Sequence, residues 1–295
     1  MNKPIRITLI IFLTLLAIIL TAGLVYVLSG KSFSIFNFRF SGVESKELVI
    51  DQTYENVYEK IEINTEAGNV YIKNTNDENI RVIIYGEKDN SSVENIRDVL
   101  KITGNTKKCS FICINNEVAK IEVYLPNNYD KNVIITNDVG DIKIERFENN
   151  YFDIHSDTGD ITIDTIKSAD IKVHTGDVRI NKIDTIDAKS TTGDIIINEV
   201  NELIVSTTTG NIEINKINNY IDSSSTTGDV TIDNLNLTKD SKISCTTGDV
   251  LIKNTNEIYI ETHTSVGDSN INNNYRTAEF TLNIKTTTGD IDIKN

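Results

Sequence analysis

The chain has no tryptophan, one methionine and two prolines, Pro4 and Pro126. Proline cannot donate to a sheet ladder, so its near absence from 295 residues suits a chain made mostly of strands. Basic residues are also short. Twenty-nine Lys and Arg stand against 43 Asp and Glu, for a formal charge of −14. The first thirty residues hold Lys3 and Arg6 and no acid, which leaves −16 on the rest. So acidic a body repels phosphate backbones and argues against nucleic-acid partners. Histidine occurs at positions 155, 174 and 263, with no second histidine at ligand spacing. Neither a Ser-His-Asp nor a Cys-His arrangement can be assembled, so no catalytic residue and no cofactor is expected. Cys109, Cys113 and Cys245 are the cysteines. In one straight strand the first two would stand about 13 Å apart, beyond disulfide reach. Buried free thiols are expected, and a bridge between Cys109 and Cys113 would require a turn.

One long apolar run is present. Residues Ile7 to Leu28 are 22 in number and uncharged. As a helix they extend about 33 Å, enough for a hydrocarbon core of roughly 30 Å. Lys3, Arg6 and the terminal amine precede the run, and Lys31 follows it. The positive-inside bias then places the N-terminus in the cytoplasm and the body on the extracellular side. A cleaved signal peptide is the rival, with a shorter apolar region and a small-x-small site that Leu28 lacks. The expected division is a cytoplasmic tip and single-pass bilayer anchor over 1–30 and a juxtamembrane linker over 31–46. An irregular β part over 47–136 and regular repeats over 137–295 follow. Phe33, Phe36, Phe38 and Phe40 in the linker suit either an aromatic belt or a first strand.

The body repeats. A glycine followed by Asp or Asn, then Ile or Val, recurs at Gly68, Gly140, Gly159, Gly176, Gly193, Gly210, Gly228, Gly248, Gly267 and Gly289. From Gly140 the spacings are 19, 17, 17, 17, 18, 20, 19 and 22. Apolar residues recur seven and five positions before the glycine, smaller ones three before, and Thr directly before it. Four positions after it stands an isoleucine column from Ile72 to Ile293. Alternation with period two on both sides means a strand, a tight corner and a shorter strand, with the glycine supplying positive φ. No coil buries its apolar side alone, so the pattern predicts an all-β parallel β-solenoid of about ten short coils. A sandwich of hairpins does not keep one residue type at one offset through successive units.

Asp141-Ile142-Lys143-Ile144 after Gly140, and the recurrent Thr-Thr-Gly-Asp with Ile-x-Ile, resemble a bacterial cell-envelope repeat family called putative adhesins, or LiaG-like proteins. The run Ile121-Glu122-Val123-Tyr124-Leu125-Pro126 is similar to the segment that precedes the repeats there. The resemblance covers about 47–295 and implies an anchored β-solenoid with no established activity and no catalytic residues.

Three surfaces are candidates for binding. The corner acids are Asp160, Asp177, Asp194, Asp229 and Asp249, with Asp141, Asp268, Asp290, Asn69 and Asn211 in the same slot. They suit backbone acceptance at the turn or, alternatively, calcium. The hydroxyls two before the glycine, Thr191, Thr208, Thr226, Thr246 and Thr287, suit either ordinary exposed strand positions or a glycan-binding face. The last strands, 280–288 and 291–294, are expected to leave a sheet edge open to a protein partner or a second copy, with no evident cap. The expected role is a non-enzymatic, membrane-anchored envelope protein presenting a rigid solenoid. Glycan adhesion through the threonine face is the alternative, and a polysaccharide-degrading enzyme is disfavoured for want of a cleft.

Overall fold

The computed structural model describes residues 43–55, 57–106 and 117–294. The apolar run 7–28, the four phenylalanines of the linker, Cys109 and Cys113 lie outside these residues, and the expected span lies there with them. Among the described residues, no helix is long and apolar enough to cross a membrane.

Alternation decides the strands. In Ile161–Thr175, Val178–Thr192 and Ile195–Thr209 the residues two, four and seven after the glycine are buried. So are those seven, five and three before the next glycine. Such a narrow apolar set closes a core only when coils stack. Ile163 pairs with Ile180, Ile180 with Ile197, Ile197 with Ile214 and Ile214 with Ile232, all in parallel ladders. The protein is an all-β parallel β-solenoid of about eight turns. Glycines 140, 159, 176, 193, 210, 228, 248, 267 and 289 have positive φ and bound those turns. The expected count of about ten coils also included Gly68. That coil does stack on the next one, through Ile63↔Ile135 and Ile72↔Ile144, but its glycine is not among those with positive φ.

Stacking order departs from chain order at both ends. Beyond the Lys60–Thr65 and Gly68–Thr75 coil lie Val99–Thr103 and Glu117–Pro126, still parallel. Ser92–Ile96 then pairs antiparallel with the former and Ile80–Tyr85 with the latter, and Leu48–Tyr54 is antiparallel to Ile80–Tyr85. Reversed strands there end the parallel run. Most of the described residues between Gly68 and Gly140 thus fold back on that side of the stack. Val43–Glu44, within the expected linker, pairs with Glu117 and Val118.

At the other end the last coil is not the outermost. Thr281–Thr288 pairs with Ser241–Thr247 on one side and with Tyr259–Val266 on the other. Ile291–Ile293 likewise lies between Val250–Thr255 and Ser269–Ile271. The expected open edge at 280–294 is therefore corrected: both of its sides are paired, and the edge belongs to Tyr259–Val266 and Ser269–Ile271. Burial explains the exchange. Leu282, Ile284, Ile291 and Ile293 are buried. The equivalent positions of the outer coil hold Ile260, Thr262, Ser269 and Ile271, two of the four now polar, and the Ser269 hydroxyl donates to that of Thr262 at 2.8 Å. Polar inward residues are tolerated where one side of the coil meets water, so this coil serves as the polar terminal repeat that a solenoid requires. Asn274 adds a second device. Its carboxamide accepts from the Ile260 N–H at 2.9 Å and donates to the Ile260 carbonyl at 2.8 Å, covering part of the edge.

Candidate binding surfaces

The glycine corner is the tightest point of each coil. The Gly159 N–H donates to the Thr175 carbonyl at 3.0 Å, and the Gly176 N–H to Thr192 at 2.9 Å. A Cβ on any of the nine corner glycines would lie 2.0–2.3 Å from the carbonyl oxygen of a neighbouring glycine. The side chains three positions before the glycine abut this corner and are small. Cys245 belongs to that column. It is free and buried, its Sγ donates to the Gly228 carbonyl at 3.2 Å, and burial pushes its thiol pKa up.

The corner acids form one continuous ladder. Asp160 Oδ1 accepts from the Asp177 N–H at 2.9 Å, Asp177 Oδ1 from Asp194 at 2.8 Å, and Asp194 Oδ1 from Asn211 at 2.7 Å. Asn211 then serves Asp229, Asp229 serves Asp249, and Asp249 serves Asp290. The acceptor role expected from sequence is present, but the donor sits in the adjacent coil and not in the residue's own turn. An amide oxygen performs it equally well, which accounts for Asn69 and Asn211 in the slot. Arg179 offsets the local charge, reaching Asp177 Oδ2 at 2.7 Å and Asp160 Oδ2 at 3.4 Å. Among the described residues, no three His, Cys, Asp or Glu side chains converge as a metal site would require. Asp177→Ala is expected to cost about 1–2 kcal/mol, because the Asp194 N–H loses its acceptor, and Asp177→Asn less than about 0.5 kcal/mol. Thermal unfolding of both variants, repeated in millimolar calcium and in EGTA, checks this. A calcium-dependent melting temperature would assign the column to an ion instead.

The hydroxyl column lies where alternation puts it. Thr191, Thr208, Thr226, Thr246, Ser265 and Thr287 are all exposed. His174 and His263 are exposed, and His155 is half-buried with its Nε2 3.1 Å from Asp153 Oδ1. Ion pairs join neighbouring columns within a coil, as Asp170–Lys172 and Asp187–Lys189, and join adjacent coils within one column, as Asp222–Lys242. Such surface pairs contribute little to stability.

Two features were not anticipated. One is a groove of about 800 Å³ on the face that follows the corner, running from Tyr71 to Lys253 across successive coils. Its walls are the residues three and five positions after each glycine. The latter column carries an amide ladder: Asn215 Nδ2 donates to Asn198 Oδ1 at 2.7 Å, Asn198 to Asn181 at 3.1 Å, and Asn181 to Asp164 at 2.9 Å. Asparagine recurring five after Gly176, Gly193 and Gly210 was the available signal. The other feature is a polar cluster beside one end of the groove. Glu122 is 6% exposed and receives Lys73 at 2.6 Å and Lys120 at 3.1 Å. Both ammonium groups lie over the Tyr71 ring, at 5.8 and 5.6 Å from its centroid. The Tyr71 hydroxyl donates to Glu44 at 2.5 Å, and burial, with that bond, pushes its pKa up.

Burial alone would raise the Glu122 pKa, but bonds from Lys73 and Lys120 outweigh it and hold the carboxyl below its ordinary 4.5. A depressed folded pKa gives stability that is complete above the unfolded value and lost as pH falls through the folded one. Glu122→Gln is therefore expected to flatten the acid limb below about pH 4.5. Melting temperature measured against pH for both proteins checks the sign; an unchanged limb would contradict it.

The family described as Toastrack DUF4097 matches residues 58–183 and 181–295. No curated protein matches the chain. Among solved structures, a putative adhesin from Bacteroides fragilis is similar at 18% identity and a TM-score of 0.48, covering 85% of this chain and 100% of its own. A putative adhesin from Parabacteroides merdae shares 12% identity at a TM-score of 0.44, over 86% and 100% of the two chains. A putative lipid binding protein from Parabacteroides distasonis shares 13% at 0.42, over 84% and 98%.

Proposed function

The chain belongs to the Toastrack DUF4097 family, and from that premise we propose that it is a non-enzymatic binding module of the cell envelope, carried outside the membrane. The observation that supports this most is the register of its outward columns. Equivalent side chains repeat at one strand spacing, about 4.8 Å, through successive coils. A rigid periodic face suits a repetitive or extended partner.

In this proposal residues 7–28 span the bilayer once, with the N-terminus cytoplasmic. Protease added to intact cells is expected to remove the solenoid and leave an N-terminal tag in the membrane. Mature protein beginning near residue 30 would overturn the anchor. An accessory role in envelope sensing fits the same placement. A protein partner or a second copy would meet the outer edge at Tyr259–Val266, where Ile260 is covered by Asn274.

Adhesion to glycans through the threonine face is the second reading, supported by the exposure of Thr191, Thr208, Thr226, Thr246 and Thr287. Glycan-array binding by the full chain that disappears in Thr208→Lys and Thr226→Lys is the expected result. A blank array would remove it.

A further inference from the structure

We infer that the groove on the opposite side of the corner binds an extended, uncharged polysaccharide lying along the solenoid axis. This rests on the binding-module reading and gives it a site and a ligand class.

Charge is the first argument. The chain carries −14, yet the groove is lined by four cationic and four anionic side chains and is neutral. Several of those charges are already satisfied. Lys253 lies 2.7 Å from Asp233, Lys73 lies 2.6 Å from Glu122, and Arg179 holds Asp177 and Asp160. Nothing there selects a charged polymer, and the surrounding acid repels an anionic one.

Hydrogen-bond capacity is the second. Asn181 and Asn198 each donate one N–H along the ladder and accept one bond. A carboxamide has two N–H groups and two acceptor sites, so each retains one of both kinds toward the groove. Sugar hydroxyls donate and accept, and they meet that demand at these successive coils. The facing wall at this level is Ile196, half-buried and apolar, a surface for the C–H face of a sugar ring. The ladder repeats at about 4.8 Å, and eight coils from Tyr71 to Lys253 give a track about 34 Å long.

Rival occupants fit less well. A bound peptide strand takes its affinity from main-chain hydrogen bonds at a sheet edge. Here the groove crosses the strands, whose backbone groups are engaged in the ladders between coils. An acyl chain would leave the free amide N–H and acceptor sites unpaired, at a cost.

The test uses the full chain in detergent, with dextran, laminarin and xylan as neutral probes and polygalacturonate as the acidic one. Affinity electrophoresis is expected to show retardation by at least one neutral polymer and none by polygalacturonate. Ile196→Lys should weaken that binding at least ten-fold, while Thr208→Lys should not change it. The fold should tolerate Ile196→Lys, since Lys143 and Arg179 occupy the same column. Should its melting temperature fall, Thr162→Lys, exposed in that column, gives the same readout. Retention by Ile196→Lys with loss in Thr208→Lys would overturn the groove and leave the threonine face. Equal binding by both variants, or selective binding of polygalacturonate, would also overturn it while leaving the binding-module reading intact. Retardation by none of the neutral polymers would overturn the ligand class; the topology experiment decides the envelope placement separately.

Discussion

Gly193→Ala is expected to destabilise the solenoid by about 3–5 kcal/mol, through strain at positive φ and collision with backbone. Gly193 has φ +139°, and an added Cβ would stand 2.1 Å from the Gly176 carbonyl oxygen. That oxygen belongs to backbone bound within the stack, so it cannot rotate aside as a side chain would. Relief requires the two coils to part, which breaks the ladder from Asp177 to Asp194 beside them. For a domain of this size the melting temperature should fall by roughly 10 °C. Thr192→Ala, at the exposed neighbouring position, should stay within about 0.5 kcal/mol. Thermal and denaturant unfolding of the pair are the measurements. A Gly193→Ala protein as stable as its parent would mean the corners are not in contact.

Ile284→Ala should cost about 2–5 kcal/mol, the usual range for a large core side chain cut to alanine. Residue 284 is near the end of the chain, where truncation is ordinarily tolerated. Here it is an interior position: Ile284 is 1% exposed and paired with both Ile243 and Thr262. Thr262→Ala, on the outer coil, should remain within about 0.5 kcal/mol. If coils stacked in chain order the ranking would invert, with Ile284 on the outermost layer and position 262 inside. Unfolding of the two single variants therefore tests the exchange directly.

Much of this architecture can be read before any coordinates are known. Period-two alternation reports which side of a strand is buried, and that is a local property. Ile163, Ile180, Ile197 and Ile214 could be assigned inward from their offsets alone. The glycine, needed where φ is positive, marks each corner for the same reason. The outward threonines and the acceptor role of the corner acids follow from residue type and position.

Neighbourhood between coils is different, because equivalent offsets fit one another interchangeably. A Gly-Asp corner stacks on any other Gly-Asp corner, so periodicity does not say that Gly289 lies between Gly248 and Gly267. The tertiary structure decides it by burying Leu282, Ile284, Ile291 and Ile293 and leaving Thr262 and Ser269 where water reaches them. It likewise decides that each corner acid serves the next coil, that reversed strands close the other end, and that two outward columns form a groove. Local pattern settles inside against outside; only the sum of burial over the whole stack settles which layer lies against which.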